Sequence, residues 1–230
     1  MKRLLLLLTI GVAAAPQPIL AAIGCTLTNP AQDLKYLYPE MTTYREDLNE
    51  FPRLKDGVEL FKALQERLGS DLDPIYETYE TPYTVYTIFN GPNKIGIVHG
   101  VNVSGKGGVI QVFLSMDPKT AAIRSFFFQR LESPVARQLR SKEFTIQFKG
   151  LTLGDFYKHD YYAAVDPGAK ADKAGAVKPP TLDASGRPDY DATLRGIRKN
   201  LVLLDFFVYD RRFEPYYARA KQAKAKSRKE

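Results

Sequence analysis

Cysteine occurs once in this chain of 230 residues, histidine twice and tryptophan not at all. A single cysteine cannot close an internal disulfide, build a cysteine zinc site or ligate an iron–sulfur cluster. His99 and His159 stand 60 positions apart, which is no metal-ligand spacing. The compositional biases of collagen, low-complexity and coiled-coil chains are missing. No serine sits in a nucleophile-elbow setting and no carboxylate pair has a telling spacing, so nothing signals a hydrolase. What is present is 44% hydrophobic and 12% aromatic residues, enough for a buried core. With the N-terminus set aside, about 205 residues remain, the size of one domain or one domain with a small appendage.

The net charge of +7 is unevenly spread. Lys2 and Arg3 supply +2 and residues 211–230 supply +6, which leaves residues 4–210 at −1. Nucleic-acid binding calls for a basic face on the folded body, and the body is near neutral, so no nucleic-acid partner is expected. The Lys/Ala-rich tail reads as a solvated helix end. Its functional counterpart is a tail lying on anionic lipid.

Residues 1–25 read MKRLLLLLTIGVAAAPQPILAAIGC. A charged start followed by an apolar run is the layout of a secretory signal. The end, Ala22-Ile23-Gly24-Cys25, resembles a bacterial lipoprotein signal, with Cys25 as the lipidated first residue of the mature protein. Cleavage after Ala15 or Ala22 without lipid is one alternative. An uncleaved anchor is another, since residues 4–24 are about long enough to span a bilayer, although Pro16 and Pro18 oppose a straight helix. Under the positive-inside tendency each reading places residues 26–230 outside the cytoplasm, in the periplasm of a bacterium.

Residues 33–50 and 52–68 have helical spacing, with Val58, Phe61, Leu64 and Leu68 recurring at three and four. Pro52 marks a start and Gly69 a stop. From Tyr83 the period changes to that of strands. Residues 83–89, 94–103, 109–116 and 122–130 are separated by short turns and predict an antiparallel meander. Ser133-Pro134 predicts a capped helix to about Arg140, and residues 143–148 a fifth strand. Residues 166–191 predict a long surface loop. Residues 192–205 predict a helix with Leu194, Ile197, Leu201 and Leu204 on one face. His99 falls mid-strand, as a core histidine would, and Lys158-His159-Asp160 is too generic to use.

Three segments then stand out by their order. They are Gly105-Lys106-Gly107-Gly108 opening the strand at Val109, then Leu131-Glu132-Ser133-Pro134, then Phe144 to Gly150 with Gln147 and Phe148 between. Together they resemble the FMN-binding domain of extracytoplasmic subunits of the sodium-pumping NADH:quinone oxidoreductase and of Rnf-type electron-transport complexes. The resemblance covers roughly the central third of the chain, with Ser133 where the family has threonine. It implies that Gly105, Gly107, Gly108, Glu132, Ser133 and Pro134 line a flavin pocket. In the family, FMN is attached through its phosphate to a threonine in a motif like Ser-Gly-Ala-Thr-x-Thr at a helix start. Here that motif is damaged. Ala192-Thr193 keeps part of it, with Tyr190-Asp191 in place of Ser-Gly. In a second reading, Asp183-Ala184-Ser185-Gly186 is the first half, interrupted by residues 187–191. Either way Thr193 is the candidate attachment residue, with the NH groups of the helix start, Arg195 and Arg198 favouring a phosphate nearby. Glycines at a hairpin, acids at a helix start and a Ser-Pro corner also have ordinary structural roles.

The resulting expectation is an α+β fold: a curved antiparallel sheet of about five strands with N-terminal helices and a C-terminal helix packed on it. The segments are a signal at 1–25, a helical part at 26–80, an FMN-binding-like domain at 81–210 and a basic tail at 211–230. The implied function is electron transfer in a membrane redox chain, with FMN as cofactor. Implied partners are membrane redox-complex subunits or periplasmic electron carriers, and the membrane surface through a lipid on Cys25 and the basic tail. The alternative is a flavin-free structural or assembly subunit of an envelope or respiratory complex with the same fold.

Overall fold

The computed structural model describes residues 25–158, 177–178, 180–182 and 184–227. The signal segment before Cys25, residues 166–176, 179 and 183 of the expected loop, and His159 lie outside the described residues. Five strands form one antiparallel sheet in the order β1 (Thr43–Asn49), β2 (Tyr83–Asn90), β3 (Asn93–Gly105), β4 (Gly108–Met116) and β5 (Ile123–Arg130). Around it lie α1 (Pro30–Leu37), α2 (Gly57–Leu68), α3 (Ala136–Leu139), α4 (Lys142–Thr145), α5 (Leu153–Lys158), α6 (Arg187–Phe207) and α7 (Glu214–Ser227). The α+β class and the five-stranded antiparallel sheet are as expected. No described helix is long and apolar enough to cross a membrane.

Both faces of the sheet are covered, and alternation along the strands decides what goes where. Val85, Ile97, Val101, Val112 and Leu114 face the main core, which α2, α5 and α6 close with Leu64, Phe156, Ile197 and Leu201. Tyr86, Ile88, Val98 and Phe113 face the other way, onto Leu27, Leu34 and Tyr38 of the N-terminal segment. The Phe126-Phe127-Phe128 run divides as a strand should. Phe126 and Phe128 enter the main core and Phe127 stacks on Phe113 at 5.3 Å. Gly196 lets α6 lie close on the sheet, since a Cβ there would stand 3.2 Å from Val103 and Val112 methyls. Arg67 of α2 and Asp205 of α6, both almost fully buried, pair at 2.7 Å, and Arg67 Nε donates to Tyr157 Oη at 3.0 Å.

Four elements differ from expectation. The helix expected over 52–68 starts at Gly57, and Pro52 lies in a separate 3₁₀ turn, Phe51–Arg53. The helix expected over 33–50 is the short α1, capped by Asn29, followed by the edge strand β1. The strand expected over 143–148 is α4 followed by a 3₁₀ turn, Ile146–Phe148. Ser141 caps it, its hydroxyl accepting from Phe144 N at 3.2 Å. Phe144 and Phe148 then fall four residues apart on one buried side, and Ile146 is left 52% exposed. The helix expected over 192–205 begins earlier, at Arg187, and continues through Phe207.

Candidate functional site

The segments singled out in the sequence do come together. β3 and β4 are joined by a tight hairpin in which Gly105 pairs with Gly108 across Lys106-Gly107. Gly108 has φ +133°, a conformation that favours glycine. The hairpin tip lies against the Glu132 corner and the first turn of α6. Lys106 N donates to Asp189 Oδ1 at 2.6 Å. A Cβ on Gly107 would stand 2.1 Å from Glu132 O, and one on Gly105 would stand 2.8 Å from Asp189 Oδ1. The glycines therefore serve a close approach of protein to protein.

The corner is a tight turn. Ser133 Oγ accepts from Val135 N at 3.2 Å, and α3 starts two residues later than its Ser-Pro signal suggests, with Val135 in the capping position. Pro134 is exposed. Glu132 points outward, pairing with Arg130 at 2.8 Å while both side chains remain more than half exposed. Such a surface pair contributes little stability. Val135 packs on Gly186, where a Cβ would come within 2.3 Å of its methyl.

Thr193 sits in the second turn of α6, fully buried, and its hydroxyl donates to Asp189 O at 2.8 Å. Asp189 is not a side-chain cap for α6; Gly186 occupies the capping position. The helix is continuous from Arg187, so residues 187–191 are its first turn and not an insertion ahead of it. If Ser185-Gly186 opens the attachment motif, Pro188 occupies the threonine position and carries no hydroxyl. As packed, the corner does not fit a phosphate-anchored flavin: Thr193 Oγ1 is sealed, and the glycine wall abuts Glu132.

Open space lies on the neighbouring edge. β2 pairs with β3 only as far as Val85 opposite His99, while β3 runs on to Gly105 beside β4. Residues 100–104 are thus a short open edge. A cavity of about 600 Å³ fills it, bounded by the segment at 70–77, by Arg195 and Lys199 of α6, and by Cys25. None of the glycine, Glu132–Pro134 or Thr193 positions borders it.

Its charges are mostly matched. Lys199 Nζ pairs with Glu77 and donates to Asn102 O at 3.2 Å. Arg198 pairs with Asp71 at 3.4 Å. Asp73 Oδ1 accepts from Ile75 N and Tyr76 N at 2.9 and 3.3 Å. Arg195, half-buried, makes no close ion pair or hydrogen bond among the described residues, although it interacts electrostatically with Asp191 one turn before it. Tyr83 Oη and Asn102 Oδ1 are buried without partners. Burial pushes the Cys25 thiol up to about 12, against a smaller opposing pull from Lys199.

His99 is the core residue its strand position suggested. Asn200 Nδ2 donates to His99 O and Val112 O, which makes Asn200 Oδ1 the acceptor facing His99 Nδ1 at 2.8 Å. The proton therefore sits on Nδ1, and Nε2 is an unpartnered buried acceptor. Burial lowers the imidazole to about 4. Nothing in the sequence singles out this cavity. The one available signal is Arg195, Arg198 and Lys199 crowding the polar side of α6, with Asp71, Asp73 and Glu77 as a separate acidic run.

No family model matches the chain, and no curated protein matches it. Among solved structures it is similar to the crystal structure of Shewanella oneidensis NqrC, with 15% identity over 86% of this chain and 90% of that one, and a TM-score of 0.43. At that identity and score, the chemistry of the site rests on this chain's own residues.

Proposed function

We propose that the protein is an extracytoplasmic, flavin-free structural or assembly subunit of a membrane redox or envelope complex, built on an FMN-binding type of domain. The order of the glycine hairpin, the Glu-Ser-Pro corner and the phenylalanine-rich segment supports the domain type. The signal-like N-terminus supports export, with Cys25 as the proposed lipid anchor. The observation that carries the flavin-free reading is Thr193, whose hydroxyl is fully buried and bonded to its own helix. Close packing of Gly107 on Glu132 supports it further.

The second reading is an electron carrier holding FMN. It is favoured by the convergence of the hairpin, the corner and the start of α6 at one place. The two readings part on a single preparation. Protein made with a flavin transferase present is expected to be colourless, to have an intact mass without an FMN increment, and to retain a stoichiometric partner in membrane pull-downs. Flavin absorbance with a one-FMN increment lost in Thr193→Ala would overturn the flavin-free reading and establish the carrier.

A further inference from the structure

We infer that the cavity at the open edge of β3 binds a small organic anion: an apolar or aromatic body carrying one carboxylate or phosphate that seats on Arg195. Three observations lead there. The first is size. About 600 Å³ lies within the range of small-molecule sites and far exceeds what a bare inorganic ion needs. Leu72, Val101, Val103 and Val109 give the space apolar walls suited to an organic body.

The second is charge. Lys199 and Arg198 are answered by Glu77 and Asp71, and Asp73 Oδ1 is turned back onto backbone amides. Arg195 is the cation in the lining with no carboxylate in salt-bridge contact among the described residues; its electrostatic neighbour, Asp191, stands one helical turn back and outside the lining. A guanidinium presents forked donors that match the two oxygens of a carboxylate or phosphate.

The third is unmet hydrogen bonding. Tyr83, only 5% exposed, and Asn102 both belong to the cavity wall, and their polar atoms Oη and Oδ1 have no partner. Orphaned buried groups of this kind are uncommon and destabilising. A ligand with a donor beside its apolar body would relieve them. Arg195 then fixes the anionic end and the Tyr83–Asn102 wall fixes the other. This inference does not require FMN: of the residues considered for the flavin, Arg195 borders the cavity, while the hairpin glycines, Glu132–Pro134 and Thr193 do not.

Calorimetric titration of the full mature chain with 2-naphthoate, 1-naphthyl phosphate and the neutral 2-naphthamide tests it. Both anions are expected to bind, with the amide weaker on the order of tenfold or more, as loss of a charge-assisted pair implies. Arg195→Gln is expected to bring the anions down to the level of the amide without altering the amide. Val109→Trp, at an exposed position on the wall, is expected to abolish all binding while the melting midpoint shows an intact fold. Equal affinity for amide and carboxylate would overturn the inference. So would unchanged anion binding in Arg195→Gln, or silence of both anions up to about 1 mM. Free FMN is a separate arm. FMN binding lost in Arg195→Gln supports the anion site and counts against the flavin-free reading. Naphthoate binding with FMN silent supports the site and leaves that reading standing.

Discussion

His99 shows what a single buried side chain contributes to stability. Its Nδ1–H is used by Asn200 Oδ1, and its Nε2 faces no donor among the described residues. Protonating Nε2 would put a charge in the core, close enough to Lys199 for repulsion to add to the burial effect. The folded protein therefore holds the imidazole at about 4, against 6.5 for an ordinary histidine. Between those values the unfolded chain takes up a proton that the folded chain refuses. The contribution of His99 is thus complete above pH 6.5 and is lost as pH falls towards 4. By pH 5 the loss reaches about 2 kcal/mol. Urea unfolding at pH 7.5 and pH 5 is expected to show that difference in the wild type. His99→Gln, which keeps a donor and cannot titrate, should show a drop smaller by about that amount. Equal drops in both would remove the account.

At the scale of elements, the β3–β4 hairpin is held in place by what it touches. Gly107→Ala would force a methyl to 2.1 Å from Glu132 O, a backbone atom that cannot swing aside. The hairpin would have to lift off the corner, straining the Lys106–Asp189 bond as it moves. A loss of about 1–3 kcal/mol is expected from such overpacking, read as a lower urea midpoint. Exposed Gly91, where a Cβ meets nothing within 4 Å but φ is +54°, gives a comparison that isolates backbone strain from contact. A Gly107→Ala variant as stable as wild type would show that the hairpin is free of the corner.

The same elements show what was legible in the sequence. β2 to β5 announce themselves because their alternating aromatic and branched residues are interrupted by glycine, asparagine and proline turns. β1 does not. In Thr43-Tyr44-Arg45-Glu46-Asp47-Leu48-Asn49 charged residues interrupt the alternation, and Tyr44 is the one side chain that packs on a core; the segment is a strand because its backbone meets the free edge of β2. Phe144 and Phe148 are four apart, a spacing shared by alternation and by one helical turn. Exposed Ile146 decides between them, and exposure cannot be read from the sequence. At the site, the hairpin tip lies against the corner and the first turn of α6. Whether they enclose a space or fill it depended on approaches of two to three ångströms, such as Gly107 to Glu132 O. The cavity stayed hidden because it forms where β2 stops short of the end of β3, a matter of strand length in three dimensions.

Across the whole molecule, charge is segregated from structure. Residues 4–210 sum to −1, while residues 211–230 carry +6. α7 is anchored at its start, where buried Phe213 donates its N–H to Asp205 Oδ1 at 3.2 Å, and Tyr217 Oη donates to Glu66 O at 3.2 Å. Beyond Tyr217 the described side chains are mostly exposed, and the Lys221–Glu66 pair lies at the surface. A pair this open to water and salt adds little to stability. Removing residues 218–230 therefore lowers the net charge by 5 while taking almost nothing from the core. If the tail serves to lie on anionic lipid, each basic residue near the surface contributes on the order of 1 kcal/mol, and salt weakens the effect. Residues 26–230 are expected to co-sediment with vesicles containing phosphatidylserine at low salt and to be released by added salt. The 218–230 truncation should lose that association while its thermal midpoint stays within a degree or two, roughly what surface changes produce. Equal association of both chains would show that the tail is only a solvated helix end.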